Sequence, residues 1–508
     1  HSIRIMINIS KKKDCCGCNA CGDVCPKHSI TFKIDKEGFW YPEVEMDTCI
    51  DCHLCEKVCP LLNKEEYKNI DGYVKPKTYA LVHKNIEVRF DSTSGGAFTA
   101  LAEEVYKQGG FVGGAIYNED WSVSQFLSSS KNDLPKLRSS KYLQSHFDGF
   151  YKSVKEALKT EKPVLVCGSP CQMAAMFRYL KKPYENLIIV DYICRGIASP
   201  MYFRKWINYL ENKHNSKVIF YKAKSKELGW RKLSTRIEYA NGEADVIAGH
   251  DNPWLMMQYK VPEICRPSCF ECSFKGFPRT SDITMGDLWA KKGSIPQNLD
   301  GDLGTSIVFA NNAKGEAFLS RCFKKVEYKE FPFETAVKGN FHLENAVRHS
   351  SYDRETFFQD LNESFEECID KYIPEFNHQQ YSVKSKTKNF LKFVWKISSA
   401  SGWSISTWRK NLWYNIFSSK VKTSIFKGHY FIIEKNCTIQ INSKGRLILD
   451  SALYFGTKKV KGSILDSRLL IESGGIMRIY GGDYSISYGA DIEVFRNALL
   501  EIGGGVGA

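Results

Sequence analysis

What this chain of 508 residues lacks narrows its class before any motif is read. No apolar run reaches the eighteen or so residues needed to span a bilayer, and no signal-peptide pattern opens the sequence. These absences exclude a helical membrane protein and lead us to expect a cytoplasmic one. Marks of disorder are missing too: hydrophobic residues make up 43% and aromatic ones 13%, enough to build cores. Between Tyr381 and Lys427 there is no Asp or Glu, against ten Lys or Arg, so most of the formal charge of +14 sits in one segment. No histidine follows His429. Two to four domains are expected at this length. The first methionine is Met6, which we expect to be the natural start.

What the chain has in abundance is sulfur. Eighteen cysteines without a secretion signal speak against a disulfide scaffold and for metal-bound thiolates in a reducing compartment. Cys15, Cys18, Cys21 and Cys25 follow C-x2-C-x2-C-x3-C-P, and Cys49, Cys52, Cys55 and Cys59 follow it again. A tight loop with thiolates every third residue can hold three corners of a cubane, while the fourth cysteine is carried toward the other cluster. The expected ligand sets are therefore Cys15, Cys18, Cys21 and Cys59 for one 4Fe–4S cluster, and Cys49, Cys52, Cys55 and Cys25 for a second. Structural zinc is the alternative, although it usually takes two widely separated C-x2-C pairs. Cys16 reads as a spare, buried thiol. Between the halves, "ITFKIDKEGFWYPEV" alternates as a β-hairpin does. Residues 12–63 resemble bacterial two-cluster ferredoxins.

Three stretches stand out in the middle of the chain. "DSTSGGAFTALAEEVYKQGG" puts Ser94, Gly95 and Gly96 before an amphipathic helical run with Leu101, Val105 and Tyr106 on one face. Free N–H groups at such a helix start can seat a phosphate, although Ser94 also suits an ordinary N-cap. "LRSSKYLQS" adds hydroxyls, Lys141 and Tyr142. "VLVCGSPCQMAAM" reads as strand, turn and helix, the layout at which α/β folds bind ligands. Cys167 there reads as packed core. Further on come "DYICRGIASP", "ICRPSCFECSFKG" and "SDITMGDLWA". Cys265, Cys269 and Cys272 are spaced C-x3-C-x2-C and need a fourth thiolate for a third 4Fe–4S cluster. Cys194 and Cys171 are both candidates, with Cys194 preferred; buried or zinc-bound cysteines are the alternative.

From about Lys75 to about Leu361 the order of "SGG", "SSKYLQS", "GSPCQ", "DYICRGIASP" and "SDITMGDLW" resembles the family of coenzyme F420 hydrogenase/dehydrogenase beta subunits. That resemblance implies an iron–sulfur flavoprotein that exchanges hydride with a deazaflavin through FAD, sometimes with a dicluster ferredoxin module at its N-terminus. By the same resemblance, Ser94, Gly95 and Gly96 would contact the FAD phosphates. Ser140, Lys141, Tyr142, Gly168, Ser169, Pro170 and Gln172 would surround the isoalloxazine or ribityl chain. "GSPCQ" and "ICRG" depart from the family's more usual GTPCQ and ICHG, so a permanent cation, Arg195, stands where a titratable histidine is common. Lys141 and Arg195 are the candidate catalytic cations for reduced flavin or an anionic substrate, the plainer alternative being solvated surface charges. A flavin would link two-electron hydride carriers to one-electron clusters.

"NFLKFVWKISSASGWSISTWRKNLWYNIFSSKVKTSIFKG" interleaves Trp395, Trp403, Trp408 and Trp413 with Lys and Arg. Two short helices hinged at Ser398 to Ser401 are expected. They would pack as a linker on their own domains or lie on the inner face of an anionic membrane; nucleic acid is the least favoured partner. From about Tyr430, short strands ("TIQI", "RLIL", "SRLLIE", "IMRIY", "DIEVF", "LLEIG") suggest a β-solenoid. That segment loosely resembles left-handed β-helix acyltransferases of the hexapeptide-repeat type, without strict hexapeptides. Those enzymes use a histidine base, so the end at "EIGGGVGA" is expected to be a truncated, inactive module.

The expected fold is therefore multidomain α+β. It comprises a ferredoxin-like dicluster module (12–63), an α/β flavoprotein body in two parts (75–160 and 161–361), basic aromatic linker helices (381–428) and a partial left-handed β-helix (430–508). The expected function is electron transfer among a hydride carrier (coenzyme F420 or a nicotinamide), FAD, clusters and a redox partner protein. The alternative is a polysaccharide-modifying fusion in which the redox part supplies electrons. Direction of flow and oligomeric state are not written in the sequence.

Overall fold

The computed structural model describes residues 7, 9, 11–69, 71–290, 295–296, 298–299, 303–374, 376, 383–401, 404–434, 437–457, 467–480, 484–487 and 490–503. Met6, Trp403 and residues 504–508 lie outside the described residues. The chain forms two compact units. One comprises residues 1–225 with 235–373, the other 226–234 with 374–508.

In the first unit, β1 (Ile30–Ile34) and β2 (Trp40–Val44) form the antiparallel hairpin expected around Lys36-Glu37-Gly38. Each half of the cysteine repeat contributes a short helix, Ala20–Val24 and Leu54–Val58. Both helices start from a left-handed residue, Asn19 at φ 61 and His53 at φ 58, and both end on an extended cysteine, Cys25 and Cys59. The sequence repeat is thus a repeat of backbone conformation.

Six strands follow: β3 (Lys77–His83), β4 (Phe111–Tyr117), β5 (Val123–Ser128), β6 (Ser145–His146), β7 (Val164–Gly168) and β8 (Leu187–Tyr192). A separate small sheet holds β9 (Val218–Ser225), β10 (Ser234–Tyr239) and β11 (Ala244–Ile247). The chain then returns with β12 (Ile283–Asp287), β13 (Ser306–Ala310) and β14 (Val326–Glu330), completing a nine-stranded sheet of order β14-β3-β13-β12-β8-β7-β4-β5-β6. Its central strands are apolar on both faces, as strands covered on both sides must be. Leu81, Val308, Leu165 and Val190 point to a core shared with Leu101 and Val105 of the helix Ala97–Lys107. The alternate residues Ala80, Val82, Ile307 and Phe309, and Val164, Val166, Leu187 and Ile189, face the opposite side. Strands β12, β8, β7 and β4 run parallel. Their register sets Gly168 beside Asp191 and Tyr192 beside Met285, gathering several loops at one carboxyl edge.

In the second unit the helix Val383–Ser401 includes the serines at 398–401 as its last turn, and a second helix, Ile405–Leu412, follows. The break between the helices therefore falls after the serine-rich centre, because serines at 398–401 do not interrupt the i to i−4 ladder. Ten strands come next: β15 (Val421–Lys422), β16 (Phe431–Ile433), β17 (Cys437–Ile441), β18 (Arg446–Leu449), β19 (Leu453–Thr457), β20 (Ser467–Ile471), β21 (Ile476–Tyr480), β22 (Tyr484–Ser487), β23 (Asp491–Val494) and β24 (Leu499–Gly503). They form three parallel sheets, β15-β18-β21-β24, β16-β19-β22 and β17-β20-β23, so each strand bonds to the one three positions later. Leu447, Phe455, Leu469, Ile471, Met477 and Ile479 are fully buried between the sheets.

Candidate functional site

At the carboxyl edge of the large sheet lies a cavity of about 690 Å³, within the range of pockets that take a drug-sized ligand or cofactor. Ser94, Gly96, Ser140, Lys141, Tyr142, Gly168, Gln172, Cys194, Arg195 and Cys265 all line it. Residues far apart in sequence thus meet on one wall.

The loops that carry them are tied to each other. Ser140 N donates to Thr93 Oγ1 (3.0 Å) and Ser139 Oγ to the Asp91 carbonyl (3.0 Å). Asp91 accepts from Arg138 Nη1 (2.5 Å) and Lys222 Nζ (2.7 Å). Burial opposes its charge, but the two cations outweigh burial and hold the carboxyl below its usual value. Ser94 Oγ donates to the Thr305 carbonyl (2.9 Å). Gly95 does not line the cavity: a Cβ there would sit 2.4 Å from the Leu81 carbonyl and 2.5 Å from Ser306 N, so its role is close backbone packing. Gly96 is left-handed (φ 95) and starts the helix.

Ser169 and Pro170 also stand behind the wall. Ser169 is fully buried as the N-cap of the helix Pro170–Leu180, where Gln172 Oε1 accepts from its N–H (3.0 Å) in a capping box. Gln172 Nε2 reaches Ser145 Oγ (3.1 Å). Cys167 is both packed in β7 and exposed to the cavity. Lys141 Nζ donates to the Lys136 and Arg138 carbonyls (2.7 and 2.9 Å), and burial brings its ammonium down to about 7. Arg195 Nη1 donates to the Gln258 carbonyl (2.8 Å), with its guanidinium 5.2 Å from the Tyr259 ring.

Residues that sequence reasoning missed complete the site. Lys224 pairs with Asp287 (2.8 Å) beneath the Tyr142 and Trp289 rings, each 5.9 Å away. Asp287 and Trp289 belong to "SDITMGDLWA", but Lys224 sits in an alternating basic strand with no signal of its own. Gln125 Oε1 and Gln258 Nε2 are buried in this wall without hydrogen-bond partners. Unsatisfied polar atoms of that kind call for a bound group. The motifs "DYICRG" and "SDITMGD" also carry a buried network behind the cavity. In it, Arg279 bonds Asp191 (3.2 Å), which accepts from Thr284 Oγ1 (2.6 Å).

The cysteines gather in three groups. Cys25, Cys49, Cys52 and Cys55 line one small cavity of about 20 Å³, and Ser29 N–H donates to Cys25 Sγ (3.3 Å). Burial and then the neighbouring Cys18, Cys15 and Cys59 push the Cys21 thiol well up, and Cys59 is likewise raised to about 12 by burial and by Cys18. A third cavity of about 30 Å³ is lined by Cys194, Cys269, Cys272, Cys171 and Cys16. Cys269 Sγ accepts from Ile197 N (3.3 Å), and a Cβ on Gly196 would lie 2.9 Å from Cys265 Sγ. Both Cys194 and Cys171 are therefore beside the triad. Cys16 is here too, sharing with Cys171 a hydrogen bond that raises Cys16 and lowers Cys171. Among the described residues, no three His, Cys, Asp or Glu side chains converge as for a single metal ion. These all-sulfur sets stand around cavities, the donor set and spacing that iron–sulfur clusters use.

Arg266 joins two of the groups. Fully buried beside Cys265, it donates to the Cys15 carbonyl (2.7 Å), Cys15 Sγ (3.3 Å), the Trp40 carbonyl (3.0 Å) and Gln144 Oε1 (2.9 Å), 4.2 Å from the Tyr41 ring. Gly17 makes room for it, since a Cβ there would meet Gln144 at 2.1 Å and Arg266 at 3.0 Å.

Comparison with known proteins agrees with this layout. Residues 14–62 match the 4Fe-4S dicluster domain, and residues 161–335 match the family described as the C terminus of the coenzyme F420 hydrogenase/dehydrogenase beta subunit. The chain is 24% identical over 344 residues to an uncharacterized protein, MJ1349, of Methanocaldococcus jannaschii, covering 60% of this chain and 86% of that one. It is 22% identical over 188 residues to the F-type polypeptide of the F(420)H(2) dehydrogenase of Methanosarcina mazei, covering 35% of this chain and 51% of that one. A solved chain of the F420-reducing NiFe hydrogenase complex from Methanosarcina barkeri aligns at 16% identity with a TM-score of 0.36, covering 59% of this chain and 94% of that chain. The family matches support an iron–sulfur oxidoreductase related to these hydrogenase and dehydrogenase subunits.

Proposed function

We propose that the chain is an iron–sulfur flavoprotein oxidoreductase akin to the coenzyme F420 hydrogenase/dehydrogenase beta subunits. FAD would occupy the large cavity, and 4Fe–4S clusters would occupy the cysteine sets Cys15/Cys18/Cys21/Cys59, Cys25/Cys49/Cys52/Cys55 and Cys194/Cys265/Cys269/Cys272. One observation carries the reading: the loop 194–197 lines both the large cavity and the thiol-lined cavity behind it. A single loop thus separates a cofactor-sized space from an all-sulfur donor set.

The bound flavin would supply the exchange between hydride and single electrons. This chain's residues prepare the space for it. Ser94 and Gly96 offer a helix start to phosphates. The orphaned Gln125 and Gln258 amides offer hydrogen bonds to a polar ring edge. Arg195 gives fixed positive charge where the usual histidine would titrate. Lys141 Nζ, held near neutrality by burial, can keep or yield a proton at pH 7. The electron acceptor or donor on the far side would be a partner protein, a reading supported by the relative named as part of a dehydrogenase.

The second unit supports an additional reading. Three parallel sheets visited in rotation are the pairing of a β-solenoid, so the segment from Tyr430 onward fits coils of the hexapeptide-acyltransferase kind. The redox body would then serve polysaccharide biosynthesis. A sugar-linked substrate would distinguish this reading from a hydride-carrier one.

The test is anaerobic purification followed by iron, acid-labile sulfide and released-flavin assays. Stopped-flow mixing with reduced coenzyme F420, NADH and NADPH follows in parallel. Flavin with sulfide, and bleaching by one of the carriers, is the expected result. Absence of sulfide overturns the proposal, and sulfide without flavin reduces it to a tethered ferredoxin.

A further inference from the structure

The second unit carries a helix built the wrong way round for water. A helix lying on a domain normally buries its apolar side and shows its polar side. In Ile405–Leu412 and the π-turn Trp413–Phe417 that continues it, the buried positions are Thr407, Asn411 and Asn415, spaced by four. Their burial has a clear cause. Strand β16 is the edge of its sheet, and the two asparagines supply the missing neighbour. Asn411 donates to the Ile433 carbonyl (2.8 Å) and accepts from Ile433 N (2.8 Å). Asn415 does the same with Phe431 (2.6 and 2.7 Å). Polar side chains thus cap a β-edge that would otherwise be open.

The outward face is left apolar. Ile405, Trp413, Ile416 and Phe417 are 78%, 58%, 52% and 67% exposed, with Arg409 between Ile405 and Trp413 on the same ridge. The preceding helix buries Phe393 and Ile397 but exposes Leu391 (60%) and Trp395 (63%), and Lys396 lies 5.2 Å from the Trp395 ring. Of the interleaved tryptophans, only Trp408 packs inward among the described residues, against the Tyr430 cluster. Large exposed aromatic and aliphatic side chains in one short segment mark an interaction face.

The charge identifies the partner. Residues 381–427 hold ten Lys or Arg and no acid, so a second copy of the face would bring like charges together. Trp and Phe interleaved with Lys and Arg suit an anionic interface, where aromatic rings enter the headgroup boundary and cations meet phosphate. Among the described residues no helix is long and apolar enough to cross a membrane, so the segment would lie on the surface. We propose that the face formed by Leu391, Trp395, Ile405, Trp413, Ile416 and Phe417, with Lys396 and Arg409, docks on an anionic lipid bilayer.

Co-sedimentation of the full chain with vesicles tests this. Phosphatidylglycerol–phosphatidylcholine vesicles should bind it at low salt, and pure phosphatidylcholine vesicles should bind it at least about tenfold more weakly. Trp413→Ser with Phe417→Ser should weaken binding about tenfold or more with the far-ultraviolet dichroism unchanged. Lys396→Gln with Arg409→Gln should weaken it less and flatten its salt dependence. Equal partition to both vesicle types, or no loss in the serine variant, overturns the proposal. A dimer in solution that dissociates in the serine variant, without vesicle binding, assigns the face to self-association and also overturns it.

Discussion

The two halves of the cysteine repeat share spacing and backbone but not surroundings. Cys18 is buried and its carbonyl accepts from Tyr151 Oη (2.7 Å), whereas the equivalent Cys52 is exposed. Asn19 is buried against Trp40 Nε1 (3.0 Å), whereas its counterpart His53 faces solvent beside Asp51 and Glu56. Local sequence made the halves alike; residues more than a hundred positions away made them different. The teaching is functional. In the proposed relay, the Cys15/Cys18/Cys21/Cys59 site is the inner one, joined to the Cys265 loop by Arg266. The Cys25/Cys49/Cys52/Cys55 site faces outward, where a partner can reach it.

The largest effect should come from the thiols themselves. Cys18→Ser and Cys52→Ser are each expected to remove about four irons per chain. Cys18→Ser should also lower unfolding free energy by about 3 kcal/mol or more, because its site lies within the core. Cys52→Ser should cost under about 1 kcal/mol. Iron assay with denaturant unfolding reads both, and equal stability losses would abolish the inner–outer distinction.

Next is a pair of arginines. Arg266 secures the first half; Arg178 secures the second, through Nε to the Lys57 carbonyl (2.8 Å) and an ion pair with the exposed Glu66. Arg266→Met leaves two carbonyls and an amide oxygen buried without donors, and should cost about 3–5 kcal/mol. Arg178→Ala should cost about 1 kcal/mol or less. Arg266→Lys separates charge from geometry: it should keep part of the stability but not the fork that reaches Cys15 and Trp40 together. A shift of the inner cluster's spectroscopic potential in Arg266→Lys, absent in Arg178→Ala, would sharpen the contrast further.

Legibility followed the same division between local and distant. The hairpin and both cysteine loops could be read because their determinants lie within a dozen residues. In the second unit, the six stretches read as strands fall on β17, β18, β20, β21, β23 and β24, two of the three sheets. The sheet β16-β19-β22 went unread because "FII", "LYFGT" and "YSIS" lack alternation and mix Tyr, Gly and Ser into short runs. At the cavity, residues in glycine- or cysteine-marked loops were identifiable. Lys224, Gln125, Gln258 and Arg266 were not, since a side chain that acts across the sheet leaves no periodic trace in its own strand. Gly95 shows the converse: its motif was visible, but only the register of β3 and β13 reveals that it serves packing.

The smallest effect distinguishes position 23 from position 57, equivalent in the repeat. Asp23 accepts from Gly149 N (2.8 Å) and Tyr151 N (3.1 Å), capping the helix Phe150–Leu158; Lys57 is exposed. Asp23→Ala should cost about 1 kcal/mol, Lys57→Ala under about 0.5. Burial, opposed by those two N–H donors, leaves the Asp23 carboxyl above its usual value. A carboxyl raised in the folded state takes its proton there before the unfolded chain does. Its charge is therefore a constant cost at neutral pH, relieved as pH falls through the folded value and complete below the unfolded value of about 3.9. Asp23→Asn should remove that contribution, so that stability measured against pH, variant minus parent, declines as pH drops through this window. Lys57→Gln should show no such slope, and a matching slope there would mean that the body does not bury the first half more deeply than the second.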